Sequence, residues 1–534
     1  MKKIILSLLI SCCTYSYISA QVSQEIITQL DSAFGPQSFF EGHLTGFMLY
    51  DLDSKQVVFE KNSHQHQIPA STVKLLTLYG ALQILQDSTQ TLRYLAAGDT
   101  LKIWGSGDPS WKYKNFYQPD FQKIIGNYAV IQYSDANQIS PSFGYGWQWD
   151  DYFFAYAAER SSLPIYGNLV QMEKIGDSLS LSPKTFQQGL LYSNQNLKEL
   201  ERDYHSNTFY FNPVTFLGRD KHLPFLVESP LVAELASQET GKPWIYKSDS
   251  LPAAHQQWRG APLAPLLKEM MLFSDNFIAE QVLWMTSDRL FQTLDSERAI
   301  DYLLKTSLSD LPDRPKWVDG SGLSRHNLIT PRSLVRVVEK LQELLPKEQF
   351  EEYLAVGGKS GTLKNTFQAA NPYIFAKTGS MTASYSLAGL VKTKSGKTYA
   401  FAFMNSNFPF PVATVRKEVE KVMIQVRDHF WSSRELLKLS FRFIALNTTP
   451  TMNKRSFLKS LGLLAATGPI LGLDFPKVST SSTLLPKALL LGQTVGIISP
   501  SAATADRMEF TYAMEAMEAL GLKVKLGENF KNRF

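Results

Sequence analysis

Apolar residues recur along this chain in two patterns, short β-rich runs and longer stripes of helical period. Leu44 to Lys61 has the pattern of a hairpin that turns at Asp53-Ser54. A run that begins at Tyr373 and the runs Tyr385 to Val391 and Thr398 to Met404 are rich in β-branched and aromatic residues, which favours a three-stranded meander. We expect these segments to form one antiparallel sheet.

Helical periodicity marks three further segments. From Ala70 to Leu85, leucines recur at alternating three- and four-residue spacing, and Pro69 lies just before this segment. The segments Pro331 to Leu345 and Val412 to Trp431 carry apolar stripes that suit them to cover a sheet. The predicted fold class is therefore α+β, with helices on both faces of an antiparallel sheet.

Residues 87–257 separate the first predicted helix from the rest of this pattern. They hold short runs of Tyr, Phe, Trp and Val that are broken by Gly, Pro, Asn and Asp, which favours small β-rich domains over helices. A connection of that length is expected to form packed units of its own. We therefore expect residues 21–86 and 258–431 to form one catalytic domain, with residues 87–257 inserted into it.

Three short motifs carry the chemistry that the sequence suggests. Ser71-Thr72-Val73-Lys74 opens the first predicted helix, and Ser274-Asp275-Asn276 and Lys377-Thr378-Gly379 follow it in that order. One helical turn separates Ser71 from Lys74, so the amine can approach the hydroxyl. Acyl transfer through a serine ester needs a hydroxyl, an amine that deprotonates it and a polar wall for the substrate. The three motifs supply all of these parts.

Each motif has competitors or a simpler interpretation in the same chain. Ser456-Phe457-Leu458-Lys459 also fits the first motif, and Lys359-Ser360-Gly361 and Lys394-Ser395-Gly396 approximate the third. The sequence at 394–396 falls between two predicted strands, where a hairpin turn is expected, and 359–361 lies in a glycine-rich loop. Taken alone, Ser71 could be a helix N-cap beside a solvated Lys74. The ordered trio favours an active site instead.

The ordered motifs resemble those of the D-alanyl-D-alanine carboxypeptidase/endopeptidase family, the class C penicillin-binding proteins. The resemblance covers roughly residues 25 to 430 and includes the stretches 105–109, 146–151, 319–325 and 361–363. Class A β-lactamases share the motifs, but their first two lie much closer together than here, where 203 residues lead from position 71 to position 274. The resemblance implies a serine penicillin-recognising fold of the β-lactamase/transpeptidase type, with two inserted domains.

Ser71 is the expected nucleophile and Lys74 the expected base. An amine acts as a base only when its pKa is depressed, and both burial and a neighbouring cation depress it. Lys377 would supply that positive charge, and the resemblance implies that it also holds the terminal carboxylate of the substrate. A β-lactam would follow the same path and stall as an ester, because its leaving group stays tethered.

The remaining roles follow from the mechanism of such enzymes. Ser274 would relay a proton between the Lys74 side and the leaving amine, and Asn276 would bond the substrate backbone. Backbone N–H groups of Ser71 and Ser380 would form the oxyanion hole. The expected substrate-binding residues are Asn276, Lys377, Thr378, Gly379 and Ser380.

Other features of the chain leave some roles open and exclude several classes of ligand. Asp319-Gly320-Ser321-Gly322 fits either a turn or a segment next to the active site, whereas Trp147 and Trp149 favour core or interface packing over a sugar platform. The 8 histidines show no metal-binding spacing and no glycine-rich phosphate loop follows a strand, so neither a metal nor a cofactor is expected. A net charge of +5 is too small and scattered to indicate nucleic acid as a partner.

The N-terminus predicts export from the cytoplasm. Met1-Lys2-Lys3 precedes an apolar run, and residues 1–20 have the pattern of a signal peptide that contains both cysteines, Cys12 and Cys13. The expected location is the periplasm or the exterior. An alternative is a lipid anchor at Cys12, because Leu9-Ile10-Ser11-Cys12 resembles a lipoprotein processing box. Residues 21–450 hold no stretch long and apolar enough for a transmembrane span.

The last hundred residues depart from this pattern. Residues 432–487 are expected to form a linker, and its stretch from Met452 to Leu473 resembles a second export signal. Residues 488–534 predict a single βαβ unit with strands at Thr494 to Ser499 and Lys523 to Leu526 and a helix at Asp506 to Leu520. This unit resembles the opening of the LD-carboxypeptidase family. A lone βαβ unit cannot bury both faces of its strands, so we expect it to be inert.

The leading interpretation is a serine-type D-Ala-D-Ala carboxypeptidase that acts on peptidoglycan stem peptides, with D,D-endopeptidase activity as a possible addition. Two alternatives remain. A β-lactamase-like hydrolase would turn over penicillin quickly, and a non-catalytic cell-wall-binding protein would keep the fold without the activity.

Overall fold

The computed structural model of the chain describes residues 27, 28, 30–176, 178–218 and 222–429, together with two short strands near the C-terminus. The strands β1 to β19 lie at Leu44–Asp51, Gln56–Lys61, Ser88–Ala97, Thr100–Gly105, Val130–Ser134, Leu169–Ile175, Ser178–Ser182, Leu190–Tyr192, Glu201–Arg202, Phe209–Phe211, His222–Pro224, Trp244–Tyr246, Gln256–Pro262, Ala355–Val356, Ile374–Met381, Ser384–Lys392, Thr398–Ser406, Thr494–Ile497 and Lys523–Leu526. The helices α1 to α9 lie at Lys74–Ile84, Gln122–Ile125, Ser229–Thr240, Leu263–Leu272, Asn276–Phe291, Ser296–Lys305, Pro331–Leu344, Lys347–Glu351 and Val412–His429.

A six-stranded antiparallel sheet lies at the centre of the expected catalytic domain, with its strands in the order β14-β15-β16-β17-β1-β2. The predicted hairpin and meander are both confirmed, and residues 394–396 form the turn between β16 and β17, where Gly396 has a φ of 87°. The loop expected at residues 359–361 is confirmed as turns that lead into a short 3-10 helix. Strand pairing therefore places Lys377, on β15, inside the sheet.

The two faces of this sheet are buried against different helices. Phe47 and Phe403 face a core that includes the apolar stripe of α9, whereas Met48 and Ala402 face a core built by α1, α4, α5, α6 and α7. This alternation follows from the two-residue period of a strand. The α+β fold with helices on both faces is thus confirmed. Helix α7 ends one residue earlier than expected, and Trp431 lies outside the described residues.

The insert contains two sheets of three strands each and most of a five-stranded sheet, in the order β12-β5-β4-β3-β13. The edge strand β13 of that sheet continues beyond residue 257 to Pro262. The β-rich character of the insert is confirmed, but β5 pairs in parallel with both β4 and β12, and the 12-residue helix α3 covers one of its cores. This helix was not expected. Its buried residues Val232, Ala233, Leu235 and Ala236 recur with helical period between Pro230 and the left-handed Gly241. The insert boundaries at 87 and 257 stay a prediction.

The chain divides into two compact units, residues 1–447 and residues 448–534. In the second unit β18 and β19 pair in parallel, with Thr494 opposite Lys523, as a βαβ unit requires. The expected helix at 506–520, the whole linker at 432–487 and the signal-like segments at 1–20 and 452–473 lie outside the described residues. The LD-carboxypeptidase resemblance stays a prediction. Among the helices that the structure describes, none combines the length and the apolar character that a bilayer span needs.

Candidate active site

Ser71 and Lys74 lie where a short 3-10 helix, Ala70–Val73, becomes α1. The Lys74 amine is fully buried and contacts three oxygens: Ser71 Oγ at 3.0 Å, Asn276 Oδ1 at 2.7 Å and the Ser321 carbonyl at 2.7 Å. A neutral amine has two hydrogens and one lone pair. If its hydrogens bond Asn276 and Ser321, the lone pair points at the Ser71 hydroxyl. This geometry suits a base rather than a solvated surface lysine.

Burial controls the protonation of Lys74. It lowers the pKa of this amine to about 8, although the carboxylates of Asp319, Glu280 and Asp275 act in the opposite direction. Desolvation disfavours the charged form because the protein interior solvates an ammonium poorly. A substantial fraction of Lys74 is therefore uncharged in mildly alkaline solution, as the expected base must be.

The third motif places a second buried amine beside the second motif. Lys377 Nζ donates to Ser274 Oγ at 2.9 Å and to the Thr378 carbonyl at 2.7 Å, and Thr378 Oγ1 donates to Thr362 Oγ1 at 2.8 Å. Burial and, secondly, the charge of Lys74 lower the pKa of Lys377 well below its ordinary value. A substrate carboxylate would restore the charged form by pairing with it.

The amide of Asn276 is used within the protein at both of its ends. Oδ1 accepts from Lys74, and Nδ2 donates to the carbonyl oxygen of Tyr156 at 3.0 Å. This side chain is thus locked between the base and the insert. Ser274, two residues earlier, has its Oγ on the Lys377 side, so the motif connects the two amines.

Two glycines allow the backbone to close around Ser71. A Cβ on Gly379 would lie 2.9 Å from the Ser71 nitrogen and 3.0 Å from the Thr72 nitrogen, too close for a real side chain. Gly322 has a φ of 85°, and a Cβ added to it would collide with the Ala70 carbonyl oxygen. Strand β15 can therefore run directly beside the turn that leads into α1, which places Ser380 next to Ser71 in the same cavity.

Four of the predicted residues line one cavity of about 320 Å³: Ser71, Ser274, Asn276 and Ser380. The cavity lining does not include Lys74, Lys377 or Thr378. The two lysines lie behind it and bond residues that line it: Lys74 bonds Ser71 and Asn276, and Lys377 bonds Ser274. Residues 148, 151, 156, 323, 325 and 382 complete much of the lining and were not predicted from the sequence. They come from the insert and from loops whose positions only the packed chain defines.

The segment 319–322 lies at the active site, which the sequence left open. Asp319 is buried and accepts hydrogen bonds from Gly322 N at 2.8 Å, Ser324 N at 2.6 Å and Trp147 Nε1 at 2.9 Å. These bonds shape the turn that presents the Ser321 carbonyl to Lys74. Asp319 therefore helps to fix the carbonyl that Lys74 contacts.

Glu280 is a further support that the sequence interpretation missed. Its Oε1 accepts from Ser321 N at 2.7 Å, and its Oε2 accepts from Arg160 at 3.0 Å. Burial and the charge of Asp319 raise the pKa of Glu280 to about 7, although Arg160 opposes this shift. A sequence signal existed, because Glu280 follows Asn276 by four residues and must share its helix face.

Replacing Glu280 with glutamine should move the acidic limb of the acylation rate to lower pH. The Glu280 anion raises the pKa of Lys74, so its loss lowers that pKa and leaves more neutral amine at a given pH. The pH dependence of labelling by a fluorescent penicillin measures this limb.

Glu339→Gln is the matched control, because Glu339 is also buried and paired with an arginine, Arg336, but is not among the charges that shift the pKa of Lys74. If the acidic limb of the pH profile stays in place in Glu280→Gln, or moves to higher pH, then Glu280 does not raise the pKa of Lys74 as assigned.

The two tryptophans of the 146–151 stretch have different environments. Trp147 is 8% exposed and bonds Asp319, so core packing is confirmed for it. Trp149 is 71% exposed, so the prediction of core or interface packing is wrong for this residue. It is the first residue of a short 3-10 helix in which Tyr152 is the buried residue, so the indole of Trp149 lies beyond the edge of the core. Among the described residues no cluster of three or more potential metal ligands occurs.

Comparisons with known proteins found a matching family model and similar proteins. The model of the D-Ala-D-Ala carboxypeptidase 3 (S13) family matches residues 28–199 and 246–429. The D-alanyl-D-alanine carboxypeptidase DacB of Haemophilus influenzae is 24% identical over 419 residues, which is 69% of this chain and 87% of that protein. Carboxypeptidase DacB of Mycolicibacterium smegmatis is 34% identical over 161 residues, 28% of this chain and 35% of that protein.

Solved structures show the same fold. Penicillin binding protein 4 (dacB) from Haemophilus influenzae is similar with a TM-score of 0.57 at 19% identity, over 75% of this chain and 97% of that one. A structure of the same protein complexed with a β-lactam gives a TM-score of 0.56, also at 19% identity, over 75% of this chain and 99% of that one. The penicillin-recognising fold expected from the motifs is thereby confirmed.

Proposed function

Because the chain belongs to the D-Ala-D-Ala carboxypeptidase 3 (S13) family, we propose that Ser71 is the nucleophile through which it releases D-alanine from peptidoglycan stem peptides. The chain is a serine-type D-Ala-D-Ala carboxypeptidase. One observation supports the assignment to Ser71 most directly. Its Oγ lies 3.0 Å from a buried amine whose other two contacts are acceptors.

Acylation begins when the Ser71 oxygen attacks the carbonyl carbon of the penultimate D-alanine. The Ser71 proton passes to the neutral Lys74 amine as the new C–O bond forms. The negative charge that develops on the carbonyl oxygen is stabilised by the backbone N–H groups of Ser71 and Ser380, which lie at one edge of the cavity.

The peptide C–N bond then breaks, and the terminal D-alanine takes up a proton as it leaves. Ser274 suits this transfer, since it can give its own hydrogen to the amine and take up the proton that Lys74 received from Ser71, while its Oγ accepts from Lys377. This relay returns Lys74 to the neutral form. Lys377 and Thr378 hold the terminal carboxylate, with Gly379 leaving space between that strand and Ser71. Asn276 orients Lys74 through Oδ1, and the second hydrogen of its Nδ2 is left to bond the substrate backbone.

Water next attacks the ester carbon and frees Ser71, with Lys74 as the base for the water proton. A β-lactam acylates Ser71 by the same attack, but its amine stays attached to the acyl group and remains in the cavity. The β-lactam complex of the similar Haemophilus protein supports this assignment. The export signal expected at residues 1–20 is consistent with action on peptidoglycan in the periplasm.

Incubation of the purified protein with a defined pentapeptide tests the function. We expect the tetrapeptide and free D-alanine as products, and a stable protein adduct of penicillin mass in a parallel sample. Cross-linked muropeptides in a third sample measure D,D-endopeptidase activity. Rapid hydrolysis of penicillin without an adduct would favour the β-lactamase alternative, and a protein inert toward all of these substrates would exclude the proposed function.

A further inference from the structure

Residues of the insert bind the Ser274-Asp275-Asn276 motif directly. Tyr113 Oη donates to Asp275 Oδ2 at 2.7 Å, and Lys114 Nζ donates to the same oxygen at 2.5 Å. The motif thus depends on side chains that lie about 160 residues away in the sequence and that take no part in the mechanism above.

Ser274 needs such support because of its backbone conformation. Its φ is 61°, in the left-handed region that residues other than glycine rarely adopt and that persists only where surrounding contacts hold it. The next residue, Asp275, is held from two sides. Its Oδ1 accepts from Ile278 N at 2.9 Å as the N-cap of α5, and its Oδ2 receives the two bonds from the insert.

The supporting loop is itself anchored to the catalytic domain. Lys114 also donates to Glu269 on α4 at 2.7 Å. The ring of Tyr113 is 9% exposed and packs edge-on against Phe277, with 5.7 Å between the ring centroids. The loop therefore has a defined position from which it can fix the carboxylate of Asp275, and through it the preceding Ser274.

We propose that Tyr113 and Lys114 are positioning residues for acylation, which hold Asp275 so that the Ser274 hydroxyl stays against Lys377. This inference rests on the proposed function, since acylation is the step that it affects. The insert is then a working part of the catalytic centre, although none of its residues belongs to the three motifs.

The variant Lys114→Met tests the proposal, with Lys112→Met as its matched control. Lys112 lies in the same loop, also has a left-handed backbone, and pairs with Glu239 at 2.8 Å instead of with the motif. We expect the rate constant for acylation by a fluorescent penicillin to fall about tenfold in Lys114→Met, because small displacements of catalytic groups slow a reaction strongly. Lys112→Met should react like the unsubstituted protein, and Lys114→Arg should recover most of the rate.

A double-mutant cycle separates positioning from general stability. If Lys114 acts through Ser274, then Lys114→Met should cause little further loss in a Ser274→Ala protein. Tyr113→Phe removes one hydrogen bond while keeping the buried ring, so it should give a smaller loss of the same kind even if Lys114→Met folds poorly.

Equal rates for Lys114→Met, Lys112→Met and the unsubstituted protein would overturn the inference and leave the proposed function standing. So would a tenfold loss that persists undiminished in the Ser274→Ala background. An unsubstituted protein that never reacts with penicillin would overturn the proposed function itself.

Discussion

Replacing Ser71 with alanine is expected to abolish both the release of D-alanine and the labelling by penicillin. In the proposed mechanism the Ser71 hydroxyl forms the ester, because it is the hydroxyl that lies against the buried Lys74 amine. Loss of a serine nucleophile lowers kcat by about 10⁶-fold in a well-studied serine protease, and we expect activity on pentapeptide to fall below detection. Product analysis and the mass of the intact protein after exposure to penicillin measure the two effects.

Ser456→Ala is the matched control for this variant. Ser456 opens the other Ser-x-x-Lys sequence of the chain, outside the described residues. It should label and release D-alanine like the unsubstituted protein. A Ser71→Ala protein that still acquired the penicillin mass would show that Ser71 is not the nucleophile. Loss of labelling in Ser456→Ala would indicate that Ser456 is needed for the reaction.

Replacing Lys74 with methionine should produce the second largest effect. Methionine fills much of the same buried space but cannot accept the Ser71 proton, and general-base catalysis typically contributes about 10²- to 10⁴-fold. We therefore expect the rate constant for acylation to fall by at least about 10²-fold. The loss should persist at every pH, because no titrating amine remains beside Ser71.

Lys459→Met, in the second Ser-x-x-Lys sequence, controls for the substitution itself and should leave the acylation rate unchanged. The thermal unfolding of Lys74→Met should also be measured, since Lys74 bonds Asn276 and Ser321. A folded Lys74→Met protein that reacted at a near-normal rate would assign the base to another group.

The central sheet and its helices were predictable because their signals are local. The hairpin at 44–61 and the strands after 373 have β-rich composition within each run, and α7 has an apolar stripe along its own length. Helix α3 and the parallel pairing of β5 were missed, since short aromatic runs in the insert do not reveal which strand lies next to which. Trp149 was misplaced for a similar reason, because its exposure depends on how the whole stretch packs.

The contacts that make the site reactive could not be predicted in the same way. The sequence identified Ser71 and Lys74, but not that the Ser321 carbonyl and Asn276 take the hydrogens of the amine. Glu280 and the insert residues Tyr113 and Lys114 act through contacts between segments that are distant in the chain. Such contacts exist only when the domain is packed.

The sequence by itself determined the motifs, their order along the chain and the strands and helices that carry them, because periodicity and residue type are properties of short segments. Only the tertiary structure decided that Lys74 loses its contact with water, which lowers its pKa to about 8. It also decided that the insert holds the second motif in place. The physical reason is that the solvation of a charge and the meeting of groups about two hundred residues apart depend on the whole packed chain.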